Sequence, residues 1–489
     1  MASQNQLHFI LFPLMAPGHM IPMIDIAKLL AQREVLVTII TTPINAQRFS
    51  KTINSAIESG LQLQLIEIRF PSVEAGLPEG CENIDMLPSL NMAANFFVAL
   101  NLLRQEVEQS LKEVNPKPSC LISDMGLPWT TQIAKRFDIP RFVFHGTCCF
   151  SLLCSYKLQH PSLQDSEDIT SDTEYFVVPG LPDRIEVTKA QTSGAINANS
   201  SALKDITDQI REAEETSYGV VINSFEELEP EYLKEYRKAK GKKVWCVGPV
   251  SLCNRDNSDK AERGNKVSID QEHCLNWLNS RKPRSVVYAS FGSLSRLTPL
   301  QMMELAFGLE ASKRPFIWSI GGGGQVEALE ELISGSGFEE RTKERGLLIR
   351  GWAPQVLILS HQAIGGFLTH CGWNSTLEGI SAGVPMVAWP QFAEQFYNEK
   401  LIVKVLKIGV SVGVEVPVKW GEEDKAGILV KREDVKKALY ELMDDGKEGE
   451  ERRRRATELG EKAKKASEEG GSSHKNMTML IQDVLEQQS

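Results

Sequence analysis

The sequence predicts a doubly wound α/β protein built as two parallel-sheet domains. Short apolar runs alternate with amphipathic stretches of helical period along most of the chain, the pattern of parallel strands buried under helices. The pattern occurs twice, in consecutive halves of similar size. At 489 residues the chain also exceeds what one core serves, a limit of roughly 250–300 residues. Hydrophobic residues make up 42% and charged residues 24%, the balance of an ordinary globular protein. The formal net charge of −10 leaves no basic excess to offer nucleic acid or an anionic membrane.

In the first half, 7–13, 35–41, 63–70, 120–124, 141–144 and 220–223 read as strands, with stretches such as 21–32 and 130–137 as helices between them. Pro140 and Pro179 mark strand edges or turns. The apolar run beginning at Leu7 has no basic segment before it and leads into Gly18-His19. It therefore reads as a first buried strand, not a secretory leader. The apolar stretch 92–103 contains Asn95 and Asn101 and is too short to cross a bilayer. Residues 254–270 are rich in Asn, Asp, Lys and Glu and read as an exposed linker. A second series follows, with strands expected at 285–290, 315–320, 347–349, 366–368 and 385–389. The expected domains are 1–250, a linker at 251–270, 271–472, and a last helical segment at 473–489.

Several features point away from particular chemistries. Nine cysteines occur without a C-x-x-C pair. Cys148, Cys149 and Cys154 lie close together but read as buried thiols of a reducing compartment, which makes the cytoplasm the expected address. The arginines at 452–455 are surrounded by glutamates and read as i,i+4 pairs on a solvated helix face. The glycines at 321–324 precede no Gly-Lys-Ser/Thr, and no G-x-G-x-x-G follows a strand. That run reads as a flexible loop, with no support for ATP or NAD. There is no Asp-x-Asp and no cluster of metal ligands, so neither a metal nor another cofactor is expected.

The chemistry concentrates in 352–395. The window holds Trp352-Ala353-Pro354-Gln355, then His370-Cys371-Gly372-Trp373-Asn374-Ser375, then Glu378, then Glu394-Gln395. A Trp at a strand end can stack a flat base, although a core Trp reads the same way. Asn374-Ser375 opens a helix after the run 365–368. Its amino end and macrodipole can hold a diphosphate, with His370 just before it as a further donor. Glu378, one turn on, suits ribose hydroxyls, or merely complements the helix dipole. Glu394 and Gln395 can grip polyhydroxyl groups. Each piece has an ordinary structural reading; together in one short window they describe a nucleotide-sugar site.

This window resembles the signature box of plant secondary-product UDP-glycosyltransferases, the family-1 enzymes of the GT-B fold. There the box begins Trp-Ala-Pro-Gln and ends Asp/Glu-Gln; here the match is complete in length and key positions. The likeness extends over nearly the whole chain. It implies two facing doubly wound domains with a deep interdomain cleft, and the last helix crossing back onto the N-terminal domain. It implies that Trp352 stacks uracil, that Ala353 and Gln355 contact the base or ribose side, and that Glu378 binds the ribose. His370, Asn374 and Ser375 would hold the phosphates, with Ser293 of Ser290-Phe291-Gly292-Ser293 as a second phosphate loop. Trp373, Glu394 and Gln395 would hold the sugar. The terminal Gln resembles glucosyl rather than galactosyl enzymes.

Ligands of open parallel sheets bind outside the carboxyl ends of the strands. His19 follows the first strand in the loop Pro17-Gly18-His19, and Asp124 ends another. By the resemblance His19 is the general base and Asp124 its partner, fixing the tautomer and stabilising the imidazolium. An imidazole suits the task because its ordinary pKa lies near neutrality. Read alone, Asp124 is equally a helix cap. The implied reaction is a single inverting displacement, from UDP-glucose to a hydroxyl, by a monomeric enzyme. Phe96 in the apolar stretch 86–103, with Phe144 and Thr147, is expected to line a hydrophobic acceptor pocket. Flavonoid-like phenols and triterpenoid or steroid alcohols both remain open, as the subfamily it resembles uses both. A bacterial-type transferase and a catalytically silent binding protein of the same fold are the rivals.

Overall fold

The apolar runs pair side by side as parallel strands in two separate sheets. The computed structural model describes residues 6–159, 171–192, 201–321, 326–419 and 422–488; apart from Gly321, the glycine run at 321–324 lies outside them. In chain order the strands are β1 (His8–Phe12), β2 (Leu36–Thr41), β3 (Leu63–Glu67), β4 (Cys120–Asp124), β5 (Arg141–His145), β6 (Tyr175–Val177), β7 (Glu186–Thr188), β8 (Gly219–Ile222), β9 (Lys243–Cys246), β10 (Val286–Ser290), β11 (Phe316–Ile320), β12 (Gly346–Arg350), β13 (Ile364–Thr369), β14 (Met386–Ala388) and β15 (Gly409–Ser411).

The first sheet runs β3-β2-β1-β4-β5-β8-β9 and the second β12-β11-β10-β13-β14-β15. Every pairing within each is parallel. β1, β2, β4, β5 and β13 are buried along their full length, as expected of strands with helices on both faces. In each sheet the chain leaves the first strand in one direction and later returns to its other side. The switch points therefore lie between β1 and β4, and between β10 and β13. These are the places where a doubly wound sheet opens a crevice at its carboxyl edge.

The chain divides into two compact units. One comprises residues 1–148, 198–265 and 465–489, the other 149–197 and 266–464. In the first, the helix Ser472–Glu486 covers the edge strand β9: Lys243 Nζ meets Asp483 Oδ1 at 2.8 Å, and Ser473 Oγ donates to the Gly248 carbonyl. Covering an edge blocks unwanted pairing. The polar stretch from residue 254 is not simply solvated. Asn254 and Arg263 reach Asp25 at 2.9 and 2.7 Å, and Lys28 reaches Asn254 at 2.9 Å. All four are buried or nearly so, because their charges and amides satisfy one another. The core of the second unit gathers Phe316, Trp318, Phe338, Leu368, Trp389 and Phe396.

Several features differ from expectation. β9, β15 and the antiparallel β6–β7 hairpin are additional strands of three or four residues, too short to show a period. The first helix runs Pro17–Ala31, four residues earlier than read from the sequence. Pro17 starts it because its fixed φ suits the first helical position. His19 is therefore in the first turn of a helix and not in a loop. Arg454 and Arg455 do pair with Glu458 and Glu451 at helical spacing. Arg452 does not share their face; it is buried and donates to the Glu441 carbonyl at 2.8 Å. Among the described residues no helix is long and apolar enough to cross a membrane, and no group of three or more His, Cys, Asp or Glu residues is placed to hold a metal.

Candidate active site

In the first unit the switch point brings together residues distant in sequence. β1 delivers the helix that carries His19, and adjacent β4 ends at Asp124. The two side chains meet at 2.7 Å, His19 Nδ1 to Asp124 Oδ2. Asp124 is fully buried and His19 about one-third exposed. The second carboxylate oxygen accepts the Gly126 N–H at 2.9 Å, which stops the carboxylate from rotating. With the carboxylate accepting at Nδ1, the proton sits there. Nε2 is then the nitrogen that can take a proton from a ligand.

Behind the pair lies Arg141, which the sequence reading passed over. Its Nε donates to Ser123 Oγ at 2.9 Å and to Thr130 Oγ1 at 2.8 Å. Burial pulls its pKa down to about 10, opposed by Asp124 and Glu214, so it stays a cation at neutral pH beside the buried carboxylate. A lone Arg opening the apolar run Arg141-Phe142-Val143-Phe144 was the available signal. Following β5, Gly146 approaches the Gly18 backbone closely enough that an added Cβ would stand 3.6 Å from its carbonyl. Thr147 carries a buried hydroxyl oxygen with no hydrogen-bond partner. Phe144 is wholly buried within β5. Phe96 is wholly buried too, against Phe70 and Phe97 at centroid distances of 5.4 and 6.4 Å.

In the second unit the other switch point joins the loop after β10 to the turn after β13. Gly292 has φ +70°, and a Cβ there would stand 2.6 Å from His370 Cε1; one on Gly372 would stand 2.3 Å from its Nε2. The imidazole is held between two glycines, the first of which directly precedes Ser293 in the chain. Its immediate surroundings are dense, although the residue as a whole is only half-buried. Burial lowers its pKa to about 4, the Ser290 carbonyl opposing. His370 is thus neutral at physiological pH, a hydrogen-bonding group and not a cation.

The helix Trp373–Ser381 begins at this turn with Gly372 as its cap. Trp373, Asn374 and Ser375 form its first turn, whose N–H groups point along the axis toward the helix end. Trp373 is 2% exposed, so its ring offers no face to a ligand there. Within the helix, Gln355 Nε2 reaches Ser375 Oγ at 3.0 Å and Glu378 Oε2 at 2.8 Å. The buried Tyr288 hydroxyl donates to Gln355 Oε1 at 3.3 Å. Tyr288, on β10, was not anticipated; it orients Gln355, which in turn orients Glu378.

Trp352 is partly exposed, unlike the buried Trp373 and Trp389. Ser268 clamps its backbone in both directions, N–H to Ser268 Oγ at 3.0 Å and Ser268 N–H to the Trp352 carbonyl at 2.9 Å. Ala353 beside it is buried. Glu394 stands at the N-cap position of the helix Gln395–Lys400, after a left-handed Ala393, without a side-chain cap hydrogen bond. Gln395 accepts at Oε1 from the N–H groups of Gln391 and Phe392, at 2.9 and 3.2 Å. Its carbonyl oxygen is therefore used within the loop, and its amide NH₂ is what it can offer a ligand.

Chemically, one unit presents a carboxylate-oriented imidazole. The other presents a stackable indole, a carboxylate, and a helix end flanked by serines and a neutral imidazole. Residues 263–446 match the family model described as UDP-glucoronosyl and UDP-glucosyl transferase. UDP-glycosyltransferase 73C3 of Arabidopsis thaliana is 58% identical over 480 residues, covering 98% of this chain and 96% of that one. UDP-glycosyltransferase 73C5 of the same plant is 56% identical over 482 residues, covering 99% and 97%. The crystal structure of Glycyrrhiza uralensis UGT73P12 complexed with glycyrrhetinic acid 3-O-monoglucuronide superposes with a TM-score of 0.90 at 38% identity. It covers 99% of this chain and 96% of that one.

Proposed function

The chain belongs to the plant UDP-glycosyltransferases of family 1, and on that premise we propose that it is an inverting, UDP-glucose-dependent enzyme that forms a β-O-glucoside on a hydrophobic small molecule. His19 Nε2 takes the proton of an acceptor hydroxyl. The oxygen attacks C1 of UDP-α-D-glucose, the bond from C1 to the diphosphate oxygen breaks, and UDP leaves. Asp124 holds the tautomer and stabilises the imidazolium; Arg141 balances the buried charge behind it. Negative charge gathers on the diphosphate. The first turn of Trp373–Ser381, Ser293, Ser375 and the neutral His370 meet it there, and such preorganised donors are often the largest catalytic contribution. Trp352 stacks the uracil, with Ala353 and Gln355 alongside, and Glu378 takes the ribose hydroxyls. The Trp373 backbone, Asn374, Glu394 and the Gln395 amide serve the phosphate and sugar.

What carries the reading is the 2.7 Å contact of His19 Nδ1 with a fully buried Asp124, since a silent binding protein has no use for an oriented base. The acceptor we favour is a triterpenoid or related hydrophobic alcohol, because a neighbour of TM-score 0.90 holds glycyrrhetinic acid 3-O-monoglucuronide. On the acceptor side we retain Thr147, whose hydroxyl has no partner; Phe96 and Phe144, wholly buried, can only back the wall of such a pocket. A cytoplasmic address fits the nine free thiols. The test is UDP release on mixing with UDP-glucose and a panel of triterpenoid alcohols and flavonoids, with product mass and anomeric configuration determined. UDP binding without release for any acceptor would identify a binding protein.

Two outcomes follow from the donor side. Activity is expected to persist in EDTA, because protein donors already meet the leaving diphosphate; loss restored by Mg²⁺ or Mn²⁺ would overturn this. UDP-glucose is expected to be preferred over UDP-galactose, with Gln395 discriminating through its NH₂. A polar group left unpaired against the wrong epimer costs about 1–3 kcal/mol. Gln395→His should shift the preference toward galactose in a competition between equal donor concentrations. An unchanged ratio removes Gln395 as the sugar reader.

A further inference from the structure

We propose that Asn398, backed by Ser151, is a positioning residue for the donor diphosphate, acting through the backbone of Cys371. The inference rests on the reading of the helix end at Trp373 as the diphosphate site. Neither Asn398 nor Ser151 belongs to the window that identified that site.

The turn between β13 and the helix Trp373–Ser381 contains a non-glycine residue in the left-handed region: Cys371, φ +65°. A side chain there is disfavoured by about 1–2 kcal/mol, and Cys371 is fully buried besides. Something must hold it. Its N–H donates to Thr369 Oγ1 at 3.3 Å, a long bond. Its carbonyl accepts from Asn398 Nδ2 at 2.8 Å. Asn398 is itself fully buried, and Ser151 Oγ donates to its Oδ1 at 2.8 Å. The Cys371 carbonyl requires the amide nitrogen, so the amide oxygen faces Ser151, and the hydroxyl fixes that orientation. The pair thus forms a two-bond strut, Ser151 to Asn398 to Cys371, joining the helices Cys149–Leu158 and Gln395–Lys400 to the turn.

The strut bears on the diphosphate because Cys371 stands between His370 and Gly372. Rotating its peptide unit would turn the imidazole against the two glycines that confine it. It would also re-aim the first N–H groups of Trp373–Ser381. Displacements of that kind weaken anion binding where many donors converge on few oxygens. Losing Asn398 leaves a buried carbonyl unsatisfied beside a strained residue.

The test uses full-length protein. Asn398→Asp keeps the shape but cannot donate to the Cys371 carbonyl. Its UDP Kd, by calorimetry on folded protein, should rise by about tenfold, and its UDP-glucose KM should rise with it. The acceptor KM should change little. A purely structural role would lower the folded fraction and leave the UDP Kd of the folded fraction alone. Ser151→Ala keeps the Asn398–Cys371 bond but removes the hydroxyl that fixes the amide's orientation, so a rise of about threefold is expected. It also decides the matter if the Asp variant fails to fold. The double variant should bind UDP no more weakly than Asn398→Asp, because Ser151 acts through Asn398. An unchanged UDP Kd in both single variants, or additive losses in the double, overturns the proposal. Failure of the function itself reads differently: wild type would bind UDP and release none from UDP-glucose.

Discussion

Replacing His19 with Ala is expected to lower turnover by roughly 10²–10⁴, the usual worth of a positioned general base, while UDP affinity stays near wild type. The loss should fall in kcat with alcohol acceptors and be smaller with an acidic phenol, whose proton needs less help. That graded dependence on acceptor acidity separates a base from a residue that merely shapes the pocket. Asp124→Asn should also be impaired. The carboxamide can present its NH₂ to Nδ1 and stabilise the wrong tautomer, removing the lone pair from Nε2. The double variant should be no slower than His19→Ala, because Asp124 works only through His19. Wild-type turnover by His19→Ala with a non-phenolic alcohol would end the base assignment.

The fold was legible because parallel strands buried on both faces are continuous apolar runs, and eleven such runs became strands of the two sheets. What escaped was short or satisfied by distant partners. β15 has three residues, fewer than any period can mark. The stretch from Asn254 reads as solvated because its polarity is visible, whereas the buried Asp25 and Lys28 that neutralise it lie more than two hundred residues away. The helix start at Pro17 was legible in principle, since proline favours the first helical position, but the segment 17–19 was read as the loop that follows the first strand.

The candidate site divides along the same line. The strand, turn and helix end that carry His370, Asn374, Ser375 and Glu378 were readable because they lie within a dozen residues and each leaves its local mark. The meeting of His19 with Asp124 depends on β1 and β4 being neighbours, which is set by the topology and which the residues alone left open. Tyr288, Ser268 and Arg141 gave almost no signal. A Tyr in an apolar strand, a Ser in a polar stretch and an Arg at a strand start are each ordinary until packing puts them behind Gln355, Trp352 and Asp124.

Packing is tight at Gly292 as well, and substituting it should be costly to the donor. An alanine methyl would stand 2.6 Å from His370 Cε1 and 2.8 Å from Nε2. The ring cannot retreat, because it already lies against Gly372, whose own added Cβ would be 2.3 Å away. The backbone at φ +70° adds about 1–2 kcal/mol of strain for any residue with a Cβ. Relief must therefore come from movement of the loop carrying Ser293, of the turn carrying His370, or of both. Each takes a donor away from the diphosphate, and a hydrogen bond to a charged group is worth about 1.5–3 kcal/mol. Gly292→Ala is thus expected to lower kcat/KM for UDP-glucose by about 10², with the acceptor KM little changed. A second measurement needs no turnover. UDP raises the melting temperature of any protein that binds it only when folded, and that increment should shrink in the variant at equal UDP. Ser293→Ala, which removes only a hydroxyl, should reduce the increment less. Should Gly292→Ala keep the full increment and the donor KM of wild type, His370 is not confined as the two glycines imply, and the loop after β10 is no part of the diphosphate site.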